Sequence, residues 1–440
     1  MANTQALPFD PALHNLGSLI PELEALYKDV HSHPELSMQE SRTAALAADR
    51  LRAAGYEVTT GVGKTGVVGL LRNGGGPTVM LRADMDALPI QEATGLAYAS
   101  KATRTDREGK TVPVSHMCGH DMHVTWLAGA AKLIGEARTS WRGTLMAVFQ
   151  PAEETGEGAR AMIDDGLFKR FPTPDIILGQ HVMGGPSGTV AGRSGAITSA
   201  ADSLQIRLFG RGAHGSMTQA SIDPVVMAAS TVLRLQTIVS REVAAAEAAV
   251  LTVGVLQGRN QGKRHSGRGH HQAECPYLRC RCAEARAGCD RADRQGRSCR
   301  FGGASAAGNH DDRPIPPQRE QSGCHEAVVD AFREHFGTGR VRATGPAPAS
   351  EDFGSFGSEW HVPSVFWFVG GTDPETYAKE GGESDQRASC EPQSEIRARS
   401  PSYIANRCRS ARRRRPRLVA DVATSLIQGS PQHGHASDSA

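Results

Sequence analysis

Leu145-Met146-Ala147-Val148-Phe149-Gln150-Pro151-Ala152-Glu153-Glu154 runs from five apolar residues into a Pro-containing turn that carries two adjacent carboxylates. A short apolar run bounded by turn residues reads as a buried strand, so the acidic pair lies just past a strand end. The pattern recurs at Ile176-Ile177-Leu178-Gly179-Gln180-His181, where the run delivers an imidazole, and at Thr78-Val79-Met80-Leu81, which leads into Arg82-Ala83-Asp84-Met85-Asp86-Ala87-Leu88-Pro89. Met117-Cys118-Gly119-His120-Asp121-Met122-His123 places a thiol and imidazoles at a turn, and an apolar helix follows over His123–Ile134. Strands alternating with helices, with polar residues gathered at strand ends, predict an α/β fold: a mixed sheet flanked by helices, with its site beyond the strand termini.

Upstream, Leu19, Ile20, Leu23, Leu26 and Tyr27 recur at helical spacing, predicting two helices between Leu16 and Ala54 broken at His33-Pro34. Strands follow from Gly55 and at Val67–Leu71, the latter separated from Thr78–Leu81 by the Gly74-Gly75-Gly76-Pro77 turn. Downstream the pattern changes. Ser203–Phe209 alternates like a half-exposed antiparallel strand, Pro224–Val239 reads as a helix and Ala249–Leu256 as a strand. These predict a smaller α+β domain inserted into the first. Gln257–Cys324 has neither helical nor strand period; order resumes with a helix from Glu326 and a strand over Val362–Gly370, and ends near Glu380.

The chain has 440 residues, 39% hydrophobic and 22% charged, with a net charge of +2, which suits two globular domains and gives no general argument for nucleic-acid binding. The first sixteen residues lack a basic stretch followed by an apolar run, and no stretch is apolar enough to span a membrane; the expected location is the cytoplasm. Cys118 stands alone in the first 274 residues, whereas Cys275, Cys280, Cys282, Cys289, Cys299, Cys324, Cys390 and Cys408 fall in Arg-rich, apolar-poor stretches. Their irregular spacing argues against a structural zinc module, and a cytosolic setting against a disulfide framework.

Thiolate, imidazole and carboxylate together suit divalent metal binding, with one carboxylate of the pair left to move protons. In isolation each group has a plainer explanation: Cys118 as a small buried apolar side chain, Glu153-Glu154 as a solvated acidic pair, His181 as a core histidine. Their convergence on successive strand ends favours ligation. Asp84 and Asp86 read as carboxylates orienting ligand histidines, with turn stabilisation as the alternative. His31, His33, His116 and His123 are weaker candidates.

Leu81-Arg-Ala-Asp-Met-Asp-Ala-Leu-Pro89, Cys118-Gly-His-Asp121, Phe149-Gln-Pro-Ala-Glu-Glu154, Gly179-Gln-His181, Gly212-Ala-His-Gly215 and Ser350-Glu-Asp-Phe353 together resemble the aminoacylase/hippurate hydrolase family of binuclear-metal amidohydrolases. That family also contains indole-acetyl-amino-acid hydrolases and related carboxypeptidases. The resemblance covers residues 15–256 and 326–380. It implies a catalytic α/β domain, an inserted lid domain that mediates homodimers, two divalent ions (zinc or manganese, with cobalt or nickel as alternatives) and hydrolysis of a small N-acyl amino acid. Carried onto this chain, it implies Cys118, His120, Glu154 and His181 as metal ligands, Glu153 as general base, His214 as the group polarising the scissile carbonyl, and Ser350 and Glu351 as substrate contacts. Domain bounds on this basis are 1–190 and 304–440 for the catalytic domain and 191–303 for the lid.

One further ligand of the family, a histidine in an Asn-His-Ser-Pro motif, is missing. Codons permitted for Gly258–Arg268, shifted by one base, can spell A-G-T-K-E-N-V-I-P-D-E, matching the family's lid, and Gly269–Cys282 can spell A-T-I-K-L-N-V-R-T-F-D-A. The same shift turns Glu391–Ile404 into N-H-S-P-K-F-A-P-V-L-H-P-T-L, restoring the histidine across Pro392 and Gln393. Two frameshifted segments, 258–325 and 381–440, therefore account for the stray cysteines, the His265, His270 and His271 group and the basic Arg409–Arg417 run. Two other expectations stand beside the amidohydrolase: a catalytically impaired relative lacking that ligand and, ranked last, a nucleic-acid binder through the basic run.

Overall fold

In a computed structural model of the chain, the residues described are 13–214, 216–245, 248–257, 277–285, 304–305, 319–320 and 322–379. They fall into two compact units. One draws on Met1–Ile197, Gln318–Gly345 and Asp352–Ala440, the other on Thr198–Pro317 and Pro346–Glu351.

The first unit is built on an eight-stranded mixed sheet in the order Glu57–Val62, Gly66–Asn73, Gly143–Gln150, Thr78–Asp84, Ile176–Pro186, Ser364–Thr372, Val190–Gly192, Val341–Ala343. The strands that carry candidate ligands at their ends are neighbours. Thr78–Asp84 pairs in parallel with Gly143–Gln150 on one side and Ile176–Pro186 on the other, so all three run the same way and their C-terminal ends emerge together. The outer pair Glu57–Val62 and Gly66–Asn73 is antiparallel. Both faces of the central strands are buried, which is why their sequences read as continuous apolar runs. Every second residue, Val79, Leu81 and Ala83, joins the main core with Leu127, Ala131 and Ile134 of the helix above.

Helices Leu16–Ser32 and Ser41–Ala53 confirm the predicted break at His33-Pro34. The third helix, His120–Glu136, begins three residues earlier than its apolar pattern suggests. Gly119 adopts φ +81°, a left-handed conformation open to glycine at little cost, and turns the chain so that His120 becomes the first helical residue.

The second unit holds a four-stranded sheet in the order Ala248–Gln257, Tyr277–Ala285, Ala200–Leu208, Ala304–Ser305. Helix Pro224–Thr237 is started by Asp223, whose carboxylate accepts from Val225 N at 2.8 Å, with proline at the first turn. The expectation of no regular structure between Gln257 and Cys324 is corrected: Tyr277–Ala285 is a strand paired with both neighbours. Ladder hydrogen bonds use backbone groups alone, so a strand can form without an apolar run. The following helix begins at Ser322, four residues before the predicted start at Glu326. No described helix is long and apolar enough to cross a membrane.

A Cβ added at Gly119 would lie 2.2 Å from Val182 Cγ1 on a backbone that already has positive φ. Gly119→Ala should therefore cost about 2–5 kcal/mol of unfolding free energy, combining overpacking with left-handed strain, read as a lower denaturant midpoint.

Candidate metal centre

Three separate turns meet around His120. The ligand atoms of Cys118, His120 and His181 lie within 4.8 Å of one another, as do those of His120, Glu153 and Glu154, and those of Asp84, His120 and His123. His120 Nε2 is 3.8 Å from Glu153 Oε2, from Glu154 Oε1 and from Asp84 Oδ2, and Cys118 Sγ is 3.5 Å from His181 Nε2. Atoms bound to one tetrahedral ion at about 2.0–2.3 Å are themselves separated by roughly 3.4–3.8 Å.

Tautomers point the same way. His120 Nδ1 donates to the Asp86 carbonyl at 2.9 Å and His181 Nδ1 donates to the Val182 carbonyl, so both leave Nε2 facing the gap. His120 Nε2 and Glu154 Oε1 are buried without a hydrogen-bond partner. Orphaned polar atoms are costly in a protein interior and need an explanation; a shared cation supplies one. The donor set of thiol, imidazoles and carboxylates therefore fits divalent ions.

Electrostatics are strongly perturbed. Burial pushes the Cys118 thiol up to about 12 and, with the charges of His123 and His120, pushes His181 down to about 3, which keeps its lone pair free. For His120, burial favours the neutral ring, but Asp84 and Asp86 overcome it and raise the pKa well above the usual value. Burial also raises the Glu154 carboxyl.

The acidic pair is shaped by Asp86. Its Oδ1 accepts from Glu153 N and its Oδ2 from Glu154 N, both at 3.0 Å, and Ser37 Oγ donates to Oδ2 at 2.6 Å. Two successive N–H groups turned onto one carboxylate form the bend that lets adjacent glutamates share a site. Ala152, at φ +49°, holds the strained entry to that bend. Asp84 Oδ1 accepts from His123 Nδ1 at 2.6 Å, and its Oδ2 accepts from the buried Arg82 at 2.6 Å. His123 Nε2 in turn accepts from Val182 N at 3.0 Å, beside His181. Arg82 also pairs with Asp352 at 3.1 Å.

Three other predicted site residues, His214, Ser350 and Glu351, belong to the second unit. His214 is exposed and shares a hydrogen bond with Ser216 Oγ at 2.8 Å. Ser350 and the buried Glu351 close the Pro346–Glu351 segment of that unit. The shifted-frame histidine at 392–393, His265, His270, His271 and the Arg409–Arg417 run lie outside the described residues.

Two contributors went unrecognised in the sequence. His31, weighed only as a weak ligand candidate, bridges Asp121 Oδ2 at 2.7 Å and Glu92 Oε1 at 3.1 Å. Glu40 accepts from Ala152 N at 2.9 Å. The His33-Pro34 pair marked a turn, but no local pattern could reveal partners so distant in sequence.

Residues 80–389 match the family described as Peptidase family M20/M25/M40, which is most of the chain, and the protein belongs to that family. It is 42% identical over 250 residues to the hippurate hydrolase of Campylobacter jejuni, covering 54% of this chain and 62% of that protein. To the N-acetyl-L-cysteine deacetylase of Bacillus subtilis it is 38% identical over 246 residues, covering 56% of each. The chain thus spans little more than half the length of the curated relatives it matches. A solved structure from methicillin-resistant Staphylococcus aureus aligns with a TM-score of 0.64 at 26% identity, over 82% of this chain and 90% of that one. The Bacillus subtilis YXEP protein, described as a dinuclear metal binding peptidase from the M20 family, aligns at 0.55 and 23%, over 80% and 89%, and is evidence of shared fold.

Burial lowers the His31 pKa, but bonds and charges from Asp121 and Glu92 outweigh it and raise it to about 9. The folded value exceeds the unfolded one, so the stabilisation is complete below about pH 6.5 and lost as pH rises through about 9. His31→Gln should remove a component of about 3 kcal/mol from the alkaline slope of stability, measured by denaturant unfolding between those pH values.

Proposed function

We propose that this fold is a metal-dependent amidohydrolase that cleaves the amide of N-acyl amino acids, hippurate-like in class, to a carboxylic acid and a free amino acid. The observation that carries the reading is the pair of partnerless buried atoms, His120 Nε2 and Glu154 Oε1, facing one gap with Cys118 and His181 at its edge. Relatives that act on such amides support the substrate class.

Cys118, His120, Glu154 and His181 would hold two divalent ions, zinc or manganese, with cobalt or nickel as alternatives. Such ions, when bound, supply Lewis acidity and lower the pKa of water. Glu153 takes the proton from the attacking water and delivers it to the leaving nitrogen. Asp86 keeps Glu153 and Glu154 on one turn, so that one carboxylate ligates while its neighbour remains a base. His214 polarises the carbonyl, and Ser350 and Glu351 contact substrate; these roles are carried from the family resemblance, as are a lid formed by the inserted unit, a homodimer through it and a cytoplasmic setting.

A second reading is favoured by one feature of the chain: it lacks an Asn-His-Ser-Pro motif. As it stands, the protein is a catalytically impaired relative, and the two shifted-frame segments, 258–325 and 381–440, are the cause. Resequencing the locus distinguishes a natural lesion from an error: a corrected base restores the enzyme, and an unbroken read confirming these codons leaves the impaired form.

A frame-restored protein should hydrolyse benzoyl-, acetyl- or indoleacetyl-amino acids, and Glu153→Gln in it should lower kcat by about 10²–10⁴-fold with metal content unchanged by elemental analysis. Undiminished turnover in that variant would remove Glu153 from the mechanism.

A further inference from the structure

The segment His31-Ser-His-Pro-Glu-Leu-Ser-Met-Gln-Glu40 runs from the end of the first helix to the second and supplies none of the four proposed ligands, yet it reaches both the Cys118–His120 turn and the Glu153-Glu154 turn. His31 Nδ1 bonds to Asp121 Oδ2 at 2.7 Å, one residue beyond His120. Ser37 Oγ donates to Asp86 Oδ2 at 2.6 Å, on the carboxylate that gathers Glu153 N and Glu154 N. Glu40 Oε1 accepts from Ala152 N at 2.9 Å, the strained residue just before the acidic pair.

The segment is itself held rigid. Ala87 N donates to the Glu35 carbonyl at 2.8 Å and Leu36 bridges Ala87. Thr65 Oγ1 donates to Glu40 Oε2 at 2.5 Å. The Glu35 side chain faces elsewhere, accepting from Arg42 N and Thr43 N at the start of the second helix. Met38 is kept at φ +63°, a conformation that a non-glycine residue retains only where its surroundings over-determine it.

We propose that residues 31–40 form a positioning clamp for the metal centre: His31 sets the Cys118–His120 turn through Asp121, while Ser37 and Glu40 set the Glu153-Glu154 turn through Asp86 and Ala152. This rests on the reading of those turns as metal-holding. Its cost when broken falls on metal affinity and ligand geometry, because ligands left unbraced must be ordered by the ion itself.

The test is a cobalt(II) titration of the full chain, read by visible and thiolate charge-transfer absorption, for the unmodified protein and for His31→Gln, Ser37→Ala, Glu40→Gln and Glu35→Gln. Thermal unfolding of each metal-free protein is recorded alongside. His31→Gln and Glu40→Gln should each weaken cobalt binding by about 10–100-fold and alter the visible band, with Ser37→Ala in the same direction by less. Glu35→Gln, which loosens only the helix start, should lower Tm and leave cobalt affinity unchanged. His31→Gln and Asp121→Asn should be non-additive when combined. Unmodified affinity and spectra in the three clamp variants would overturn the proposal while leaving the metal reading intact, as would an affinity loss in Glu35→Gln equal to theirs. Absence of any thiolate band in the unmodified chain would overturn both together.

Discussion

Asp86 is where the site is decided. Its carboxylate accepts from two consecutive backbone N–H groups and a serine hydroxyl, and its own carbonyl takes the Nδ1 proton of His120. Adjacent residues in an extended chain point to opposite sides, so Glu153 and Glu154 could not serve one centre without such a bend. An ionised carboxylate bonded to two or more N–H groups makes the bend cheap, since each bond is charge-assisted. The same residue also selects the His120 tautomer through its backbone carbonyl, so that the geometry of the acidic pair and the orientation of the imidazole are coupled through one residue that is itself almost wholly buried.

Burying that much charge is costly unless it is paired. Arg82 and Asp84 are fully buried, and Arg82 bonds to Gln150, Asp84 and Asp352. Burial pushes the Asp84 carboxyl up, but the charges of His120, Arg82 and His123 and the His123 hydrogen bond outweigh it and hold it well below the usual carboxylate range. Removing one member would strand a charge in the interior, at a cost of several kcal/mol. Such a network is a weak source of net stability, and it ties together Asp84, Gln150 and Asp352, which come from different parts of the chain. From Asp84 the order continues through His123 to Val182 N, the backbone beside His181.

The layers of the fold and the convergence of strand ends were legible because they depend on apolar runs and turn residues, which are local. Cys118, His120, Glu154 and His181 could be singled out for the same reason: each follows a recognisable strand or opens a helix. What joins them was not legible. His31 meets Asp121 across 90 positions and Glu40 meets Ala152 across 112, and nothing in a helix-turn-helix pattern announces such partners. Asp84 was expected to orient a histidine, and which ring it would meet, His123, was not legible. The early start of the third helix follows from one glycine torsion. The Tyr277–Ala285 strand did carry a signal: Leu278, Cys280 and Cys282 alternate with Arg279 and Arg281, a period of two obscured by the composition around it.

The candidate ligand atoms that meet around His120 all lie between Asp84 and His181, and the strands beside them pair with one another before the chain enters the second unit. One later element matters to them: Ser364–Thr372 pairs in parallel with Ile176–Pro186, setting Phe368 opposite His181 and Trp367 Nε1 on Gln180 Oε1 at 3.0 Å. The candidate ligands around His120 therefore lie outside both segments with a shifted-frame reading. Binding and turnover are separable on that ground. On the proposed reading, a chain altered only in those segments would keep Cys118, His120, Glu154 and His181 and, with them, the physical basis for gripping a cation, while the further family histidine read across 392–393 would be lost, so that metal binding would survive a lesion that impairs turnover.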